Sequence, residues 1–446
     1  MRYLLALLIV CITAADVFGW NLSLAPGLSV KNGMIYLLLL ALTARFVVSG
    51  GMRLELPRIQ IWFGILLAYA TLTWLAAGIL IQYKTFDLVD SGIELKTELF
   101  ENAIIFFLFL YGPRTLQDAD FQLKCLLLAV AIANAIAIGN VTGVSDIGVT
   151  VIGVEGNLAG RVYGAFGHAN ETAALIVCLL PAYIAAALAA GRLASVLWVL
   201  AAMISGALLI LTGSRGAFVA LTLSAICGSY LCRDLISWRR TAAVVVAIGA
   251  IAVPLLAFAS MQSGGVLFHR LAEMVLNPGA EDDRTAIWRP IFDMMTATPV
   301  TLVTGFGWGA YDAMSFPHPT HNHYLMQWFE LGIIGLVGFV MLIRELVLTA
   351  LRAATNASDE IGTYMIAFVY GVLALSFAIF FTNLFHPWIY IWAYIGLTMR
   401  MAVTARQSAQ PNARYEQRRA ARIGSPAAVA LAAKPRARAL PRNRLR

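Results

Sequence analysis

Three of the six histidines in this chain fall in one short run, Pro317-His318-Pro319-Thr320-His321-Asn322-His323-Tyr324-Leu325. Imidazole exchanges a proton near neutral pH, so a histidine beside a hydroxyl group suits the role of general base. His321 and His323 are the candidates. The same residues suit two other readings. One is a metal site, although residues two apart share a face only in extended chain and no Asp, Glu or Cys stands beside them as a further ligand. The other is an ordinary histidine at a membrane interface. Arginine is the second chemical resource. Arg161, Arg215 and Arg284 carry guanidinium groups that stay charged and bind phosphate oxygens in pairs. Gathered around one cavity they make an anion site. A diphosphate gripped there is also a leaving group, because the arginines stabilise the negative charge that builds as a bond to it breaks.

The neighbours of these residues supply supporting candidates. His168 lies in Arg161-Val162-Tyr163-Gly164-Ala165-Phe166-Gly167-His168-Ala169-Asn170-Glu171, just ahead of an apolar run, where Asn170 or Thr172 suits a helix cap. Ser214 precedes Arg215 in the tight connection Leu211-Thr212-Gly213-Ser214-Arg215-Gly216-Ala217. A cation so close to a membrane surface is paired, snorkelled or functional. Asp282 and Asp283 stand beside Arg284, either as a helix start or as groups that orient the guanidinium. Asn322 and Tyr324 flank the histidines, and Glu330 is a buried carboxylate candidate whose simplest role is to pair with one of the arginines.

The elements that must position these residues follow from composition. The chain is 60% hydrophobic and only 13% charged, against roughly 25% charged in soluble domains. So little charge cannot clothe a soluble surface, and the apolar side chains must face lipid. Taking about 20 apolar residues per crossing, the predicted fold is an all-α, polytopic membrane bundle of about twelve transmembrane helices. They are expected at 3–19, 33–50, 60–80, 98–113, 122–143, 171–191, 194–212, 216–232, 241–260, 324–343, 361–381 and 387–402. The apolar start reads as a retained first helix and not as a cleaved signal peptide. Lys and Arg in short loops place both termini in the cytoplasm of a bacterial inner membrane. Arg161, Arg215 and Arg284 then fall on the periplasmic side, against the charge rule, which marks them out.

One long periplasmic loop is expected at 261–323. It opens with an amphipathic stretch at 266–276 that suits the interface plane. A second helical stretch follows at 285–295, where Pro290 marks a kink or a first turn, and then a Gly-rich turn at 304–309. The transmembrane domain spans 1–402. The tail, 403–446, is Ala-, Pro- and Arg-rich and is expected to be disordered in the cytoplasm, touching anionic lipid. The net charge of +8 owes much to this tail and does not point to nucleic acid. The five cysteines lie in or beside apolar runs with no metal or disulfide spacing, so they read as small buried residues.

Together, Arg161-x-x-Gly164-x-Phe166-x-x-x-Asn170, Leu211-Thr212-Gly213-Ser214-Arg215-Gly216-Ala217, Arg284-x-x-x-Trp288 with Gly305-x-Gly307, and His321-Asn322-x-Tyr324-Leu325 with Glu330-Leu331-Gly332 resemble the O-antigen ligase/polymerase superfamily. The motif region covers 155–340. The first motif departs from the family's pattern, with Ala169 where Pro is common. The resemblance implies an inverting, metal-independent membrane glycosyltransferase of the GT-C type that needs no cofactor. Its donor is a glycan on undecaprenyl diphosphate. By resemblance, Arg215 and Arg284 bind the diphosphate and His321 is the base, with His323 able to share the role. The expected acceptor is the lipid A–core of lipopolysaccharide, which makes the chain a ligase. A polymerase of O-antigen or exopolysaccharide uses the same donor, and a transporter of lipid-linked sugars needs the arginines but no base.

Overall fold

The structure, a computed structural model, describes residues 1–20, 22–51, 54–81, 83, 85–152, 161–236, 284–314, 316, 318–355 and 357–422. The expected span at 241–260, the amphipathic stretch at 266–276, and Asp282 and Asp283 lie outside the described residues.

Among the described residues, eight helices are long and apolar enough to cross a membrane. They start with α2 (Val30–Val48) and α3 (Pro57–Leu75, continued by a π-helical turn to Ile81). Next come α6 (Leu116–Val141), α7 (Ala169–Ala189), α8 (Arg192–Leu211) and α9 (Arg215–Cys232). The set closes with α13 (His323–Ala354) and α14 (Asp359–Ala378). Helices also occupy three further expected positions: α1 (Arg2–Phe18), α5 (Glu101–Tyr111) and α15 (Trp388–Arg422). α5 follows the short α4 (Leu88–Leu95) and a second π-helical turn, Lys96–Phe100. β-Structure is confined to two tiny hairpins, β1 (Ser23–Ala25) with β2 (Leu28–Ser29), and β3 (Val151–Ile152) with β4 (Val162–Gly164). α15 runs past position 402 to Arg422. An anchored helix propagates readily through Ala, Arg and Gln without an apolar face to bury.

The outer helices bury one stripe and expose another, while α5 and α7 are buried almost all round. On α2, Ile35 and Leu42 are buried while Leu37 and Leu40 are exposed. The core is continuous, with α14 packed on α7 and α9, α15 on α5, and α13 on α3. Several polar groups inside it are paired, since lipid offers them no partner. The Glu101 carboxylate accepts from Asn32 and Tyr36 and meets Lys96 Nζ at 3.2 Å.

Between the described ends of the long loop lie α10 (Arg284–Thr296, with Pro290 inside it), α11 (Pro299–Thr304) and α12 (Ala310–Ala313). The Gly-rich turn after α11 clasps a kink in α13. Phe306 N–H donates to Phe329 O and Gly307 N–H to Glu330 O, both at 2.9 Å. Gly332 breaks the helix there with φ 64°. A Cβ on Gly305 would lie 2.3 Å from Glu330 O and one on Gly332 2.1 Å from Val303 O, so both positions demand glycine.

Candidate active site

The four sequence motifs meet at one end of the bundle, at the starts of α7, α9 and α13 and the end of α8. Arg161 enters β4 and reaches across to the turn that carries Arg215. Its Nε donates to Thr212 O at 2.8 Å and its Nη2 to Asn170 Oδ1 at 2.6 Å. Asn170 therefore holds the guanidinium and does not cap α7. The N-cap is His168, in a capping box with Glu171, a His-x-x-Glu version of the familiar Ser/Thr signature. Thr172, the other expected cap, donates its hydroxyl to Tyr163 O.

Arg215 is the first residue of α9 and is exposed, following Ser214, which is buried at the N-cap position without a side-chain cap bond. Gly213, at φ 59°, makes the tight turn possible. Arg284 starts α10. Its Nη2 donates to Phe381 O at 3.4 Å and its Cζ sits 5.6 Å from the Phe381 ring centroid. Phe381 also lies against Gly216, where an added Cβ would meet Phe381 Cβ at 2.5 Å. One aromatic side chain thus stands between the two arginine-bearing segments.

His321 has φ 48°, the sole positive φ of any non-glycine among the described residues. Such a backbone costs about 1–3 kcal/mol and persists only where the surroundings enforce it. Here they do. Trp288 Nε1 donates to Thr320 O at 2.7 Å, Thr320 Oγ1 bonds Asn383 Oδ1 at 2.8 Å, and His323 N–H donates to Ile379 O at 2.9 Å. Asn322 caps α13 through Leu325 N–H at 3.1 Å. Burial, and then the positive charges of Arg284, His168, His318 and Arg161, hold the half-buried His321 imidazole below its usual range. The ring is therefore neutral at neutral pH, with a nitrogen lone pair open to a proton, and the field of two motif arginines weakens it as a base. His168 is likewise held down, by burial first and then by Arg161, with Glu171 opposing.

The other histidine of the pair is placed differently. His323 is 8% exposed, with its ring against Phe339 and Trp388 inside the bundle. The positive φ of His321 separates two residues that an extended chain would have put on one face. Tyr324 donates to Ser376 O at 2.8 Å. Glu330 is buried and accepts from Gly309 N–H at 3.1 Å, where an arginine partner was expected. Its carboxylate secures the Gly-rich turn.

Two site residues carried no motif. Glu171 is 5% exposed and takes Phe385 N–H at 3.1 Å and His168 N–H at 3.2 Å, while its Oε2 lies 3.7 Å from His386 Nδ1. It ties the start of α7 to the connection between α14 and α15. The Glu171 carboxylate holds the exposed His386 above the usual imidazole range. The capping-box spacing from His168 was the available signal for Glu171. Replacing Glu171 with Gln is expected to lower the protonation of His386 at any pH near the ordinary value of 6.5. Because diethyl pyrocarbonate attacks neutral imidazole, His386 should be modified faster in Glu171→Gln than in the wild type near that pH. Equal rates would mean that Glu171 does not set the charge of His386. Among the described residues no group of three or more His, Cys, Asp or Glu side chains has metal-ligating geometry.

Residues 198–340 match a protein-family model described as O-antigen ligase, a segment that contains Arg215, Arg284, His321 and Glu330. The matched segment is about a third of the chain and runs from α8 into α13, so the chain is similar to that family over this part. No curated protein matches the chain.

Proposed function

We propose that this chain is a ligase that moves a glycan from undecaprenyl diphosphate to the lipid A–core of lipopolysaccharide, a reading supported by the match of residues 198–340 to an O-antigen ligase family model. The observation that carries the reading is the contact chain that joins the motif segments: Arg161 bonds Thr212 O in the Arg215 turn, Arg284 and Gly216 both meet Phe381, and Trp288 of the Arg284 helix holds Thr320 beside His321. Anion grip and neutral base share one end of the bundle. In this reading that end faces the periplasm of the inner membrane and the fold is of the GT-C type.

Arg215 and Arg284 take the diphosphate. Arg161, already committed to Asn170 and Thr212, fixes the Arg215 turn and adds to the positive field. His321 accepts the proton of an acceptor hydroxyl as that oxygen bonds to the anomeric carbon. The carbon–oxygen bond to the diphosphate breaks on the opposite face, and its electron pair goes to the diphosphate oxygen between the arginines. Attack from the opposite face inverts the anomeric centre. No step calls for a metal or a cofactor.

Lipopolysaccharide and lipid-linked glycans from a strain lacking this gene test the proposal. Bare lipid A–core on a gel, with long polymer stranded on the lipid carrier, is the expected result. Core carrying a single repeat would identify a polymerase. Donor confined to the cytoplasmic leaflet would identify a transporter, and unchanged lipopolysaccharide would remove the core as acceptor.

A further inference from the structure

A cavity of about 50 Å³ lies inside the bundle, with no arginine in its lining, and Glu98, Asn102, His323, Gln327 and the indole of Trp308 bring polar groups to it. Two of them present buried polar atoms with no protein partner. His323, 8% exposed, has an unpaired Nδ1, and Trp308, 4% exposed, has an unpaired Nε1. A buried polar atom left bare costs free energy, and native proteins rarely leave one so. An apolar cavity stays dry, but one with several polar partners and about 10–15 Å³ for each molecule holds water. This cavity has room for about three. It is too small for a sugar, and a lipid acyl chain would leave both nitrogens unsatisfied.

The surroundings supply a route outward. Glu98 belongs to the π-helical turn Lys96–Phe100, an irregularity often found at functional sites. Glu94, Asp312 and Glu171 lie within electrostatic reach of Glu98. Asp312 is exposed, while Glu94 is half-buried and is pushed up to about 7 by burial and by the charge of Asp312. Glu94 and Glu98 lie four residues apart along α4 and its π-helical turn, and the start of α12 lies against α4, where a Cβ on Gly309 would meet Ser91 Cβ at 2.9 Å, so that Asp312 is the exposed member of this acidic group. Trp308 reaches the cavity from the Gly-rich turn that clasps α13.

We propose that this cavity is an internal water site, in which bound water accepts from Trp308 Nε1, bonds His323 Nδ1 and contacts the Glu98 carboxyl group, and that the row Glu98, Glu94, Asp312 connects it with the outer end of the bundle. His323 then serves as a ligand of this water, separate from the proton chemistry at His321.

Hydroxyl-radical labelling by X-ray pulses, read by mass spectrometry on the full chain in phosphatidylethanolamine–phosphatidylglycerol nanodiscs, tests the site. Internal water becomes a local radical source. Trp308 should be labelled at least several-fold above Phe368 and Tyr394, which are 0% and 1% exposed in the apolar core. After mixing into H₂¹⁸O, the label at Trp308 should carry ¹⁸O within seconds. The variants Glu98→Leu and Asn102→Leu should each lower labelling at Trp308 several-fold. Wild-type labelling at Trp308 no greater than at Phe368 would overturn the water site, whatever the variants do. Normal labelling that never acquires ¹⁸O would overturn the outward connection.

Discussion

A His321→Ala enzyme is expected to bind its lipid-linked donor normally and to transfer glycan about 10²- to 10⁴-fold more slowly, the usual range for loss of a general base. Two features direct the effect to turnover. His321 is fixed on both sides, by Trp288 through Thr320 and by Ile379 through His323, so truncation at Cβ leaves the backbone held. The residue is also neutral near pH 7, so it adds no positive charge to the grip on the diphosphate. The pH profile of the wild type provides a second check. Burial and Arg284 lower the affinity of His321 for a proton. A base must be neutral, so activity is lost as pH falls through the shifted value. The acidic limb of kcat/KM should therefore lie below the ordinary imidazole value of 6.5. Transfer by purified protein in proteoliposomes, beside donor photocrosslinking, measures both. Unchanged turnover in His321→Ala would transfer the role to His168 or remove the base altogether.

Arg215→Ala and Arg284→Ala are each expected to lower transfer by about 10²- to 10³-fold, as for loss of one preorganised charge-stabilising donor. The effects should be strongly non-additive, because both arginines serve one leaving group. Lysine should restore little at either position, since a point charge does not bind two phosphate oxygens side by side. Arg215 is exposed at the first position of α9, so its replacement should leave folding intact. Arg284 donates a 3.4 Å hydrogen bond to Phe381 O and lies against the Phe381 ring, at the start of the α10 helix. Insertion and detergent-extracted monodispersity should match the wild type in both. Full transfer by either purified variant would sink the diphosphate assignment.

Much of this site was legible because charge is costly in a membrane. Arg161, Arg215 and Arg284 stood out by breaking the positive-inside pattern, and the structure brings their segments together through Thr212 and Phe381. The division between His321 and His323 was not legible. Residues two apart share a face only in extended chain, and the φ of 48° at His321 together with the start of α13 at His323 ends that conformation here. Glu171 was hidden in the grammar of a helix start, where a carboxylate at the third position reads as a cap. Phe381, Asn383 and His386 lie between α14 and α15, outside every motif, and their contribution is one of placement. The eight long apolar helices followed directly from hydropathy. The continuation of α15 to Arg422 did not, because a helix growing from an anchored end needs no apolar period of its own.

The clasp between the Gly-rich turn and the kinked α13 bears on how such a site is kept in order. The backbone hydrogen bonds of Phe306 and Gly307 to Phe329 and Glu330, with the Gly309 bond to the Glu330 carboxylate, close residues 306–330 into a ring that contains His321. An exported domain commonly secures a loop of this kind with a disulfide. All five cysteines here are free thiols. The staple is made instead from glycine and main-chain amides, so the loop can be set without an oxidant. It cannot be lost to reductants, and it fails only by local unfolding.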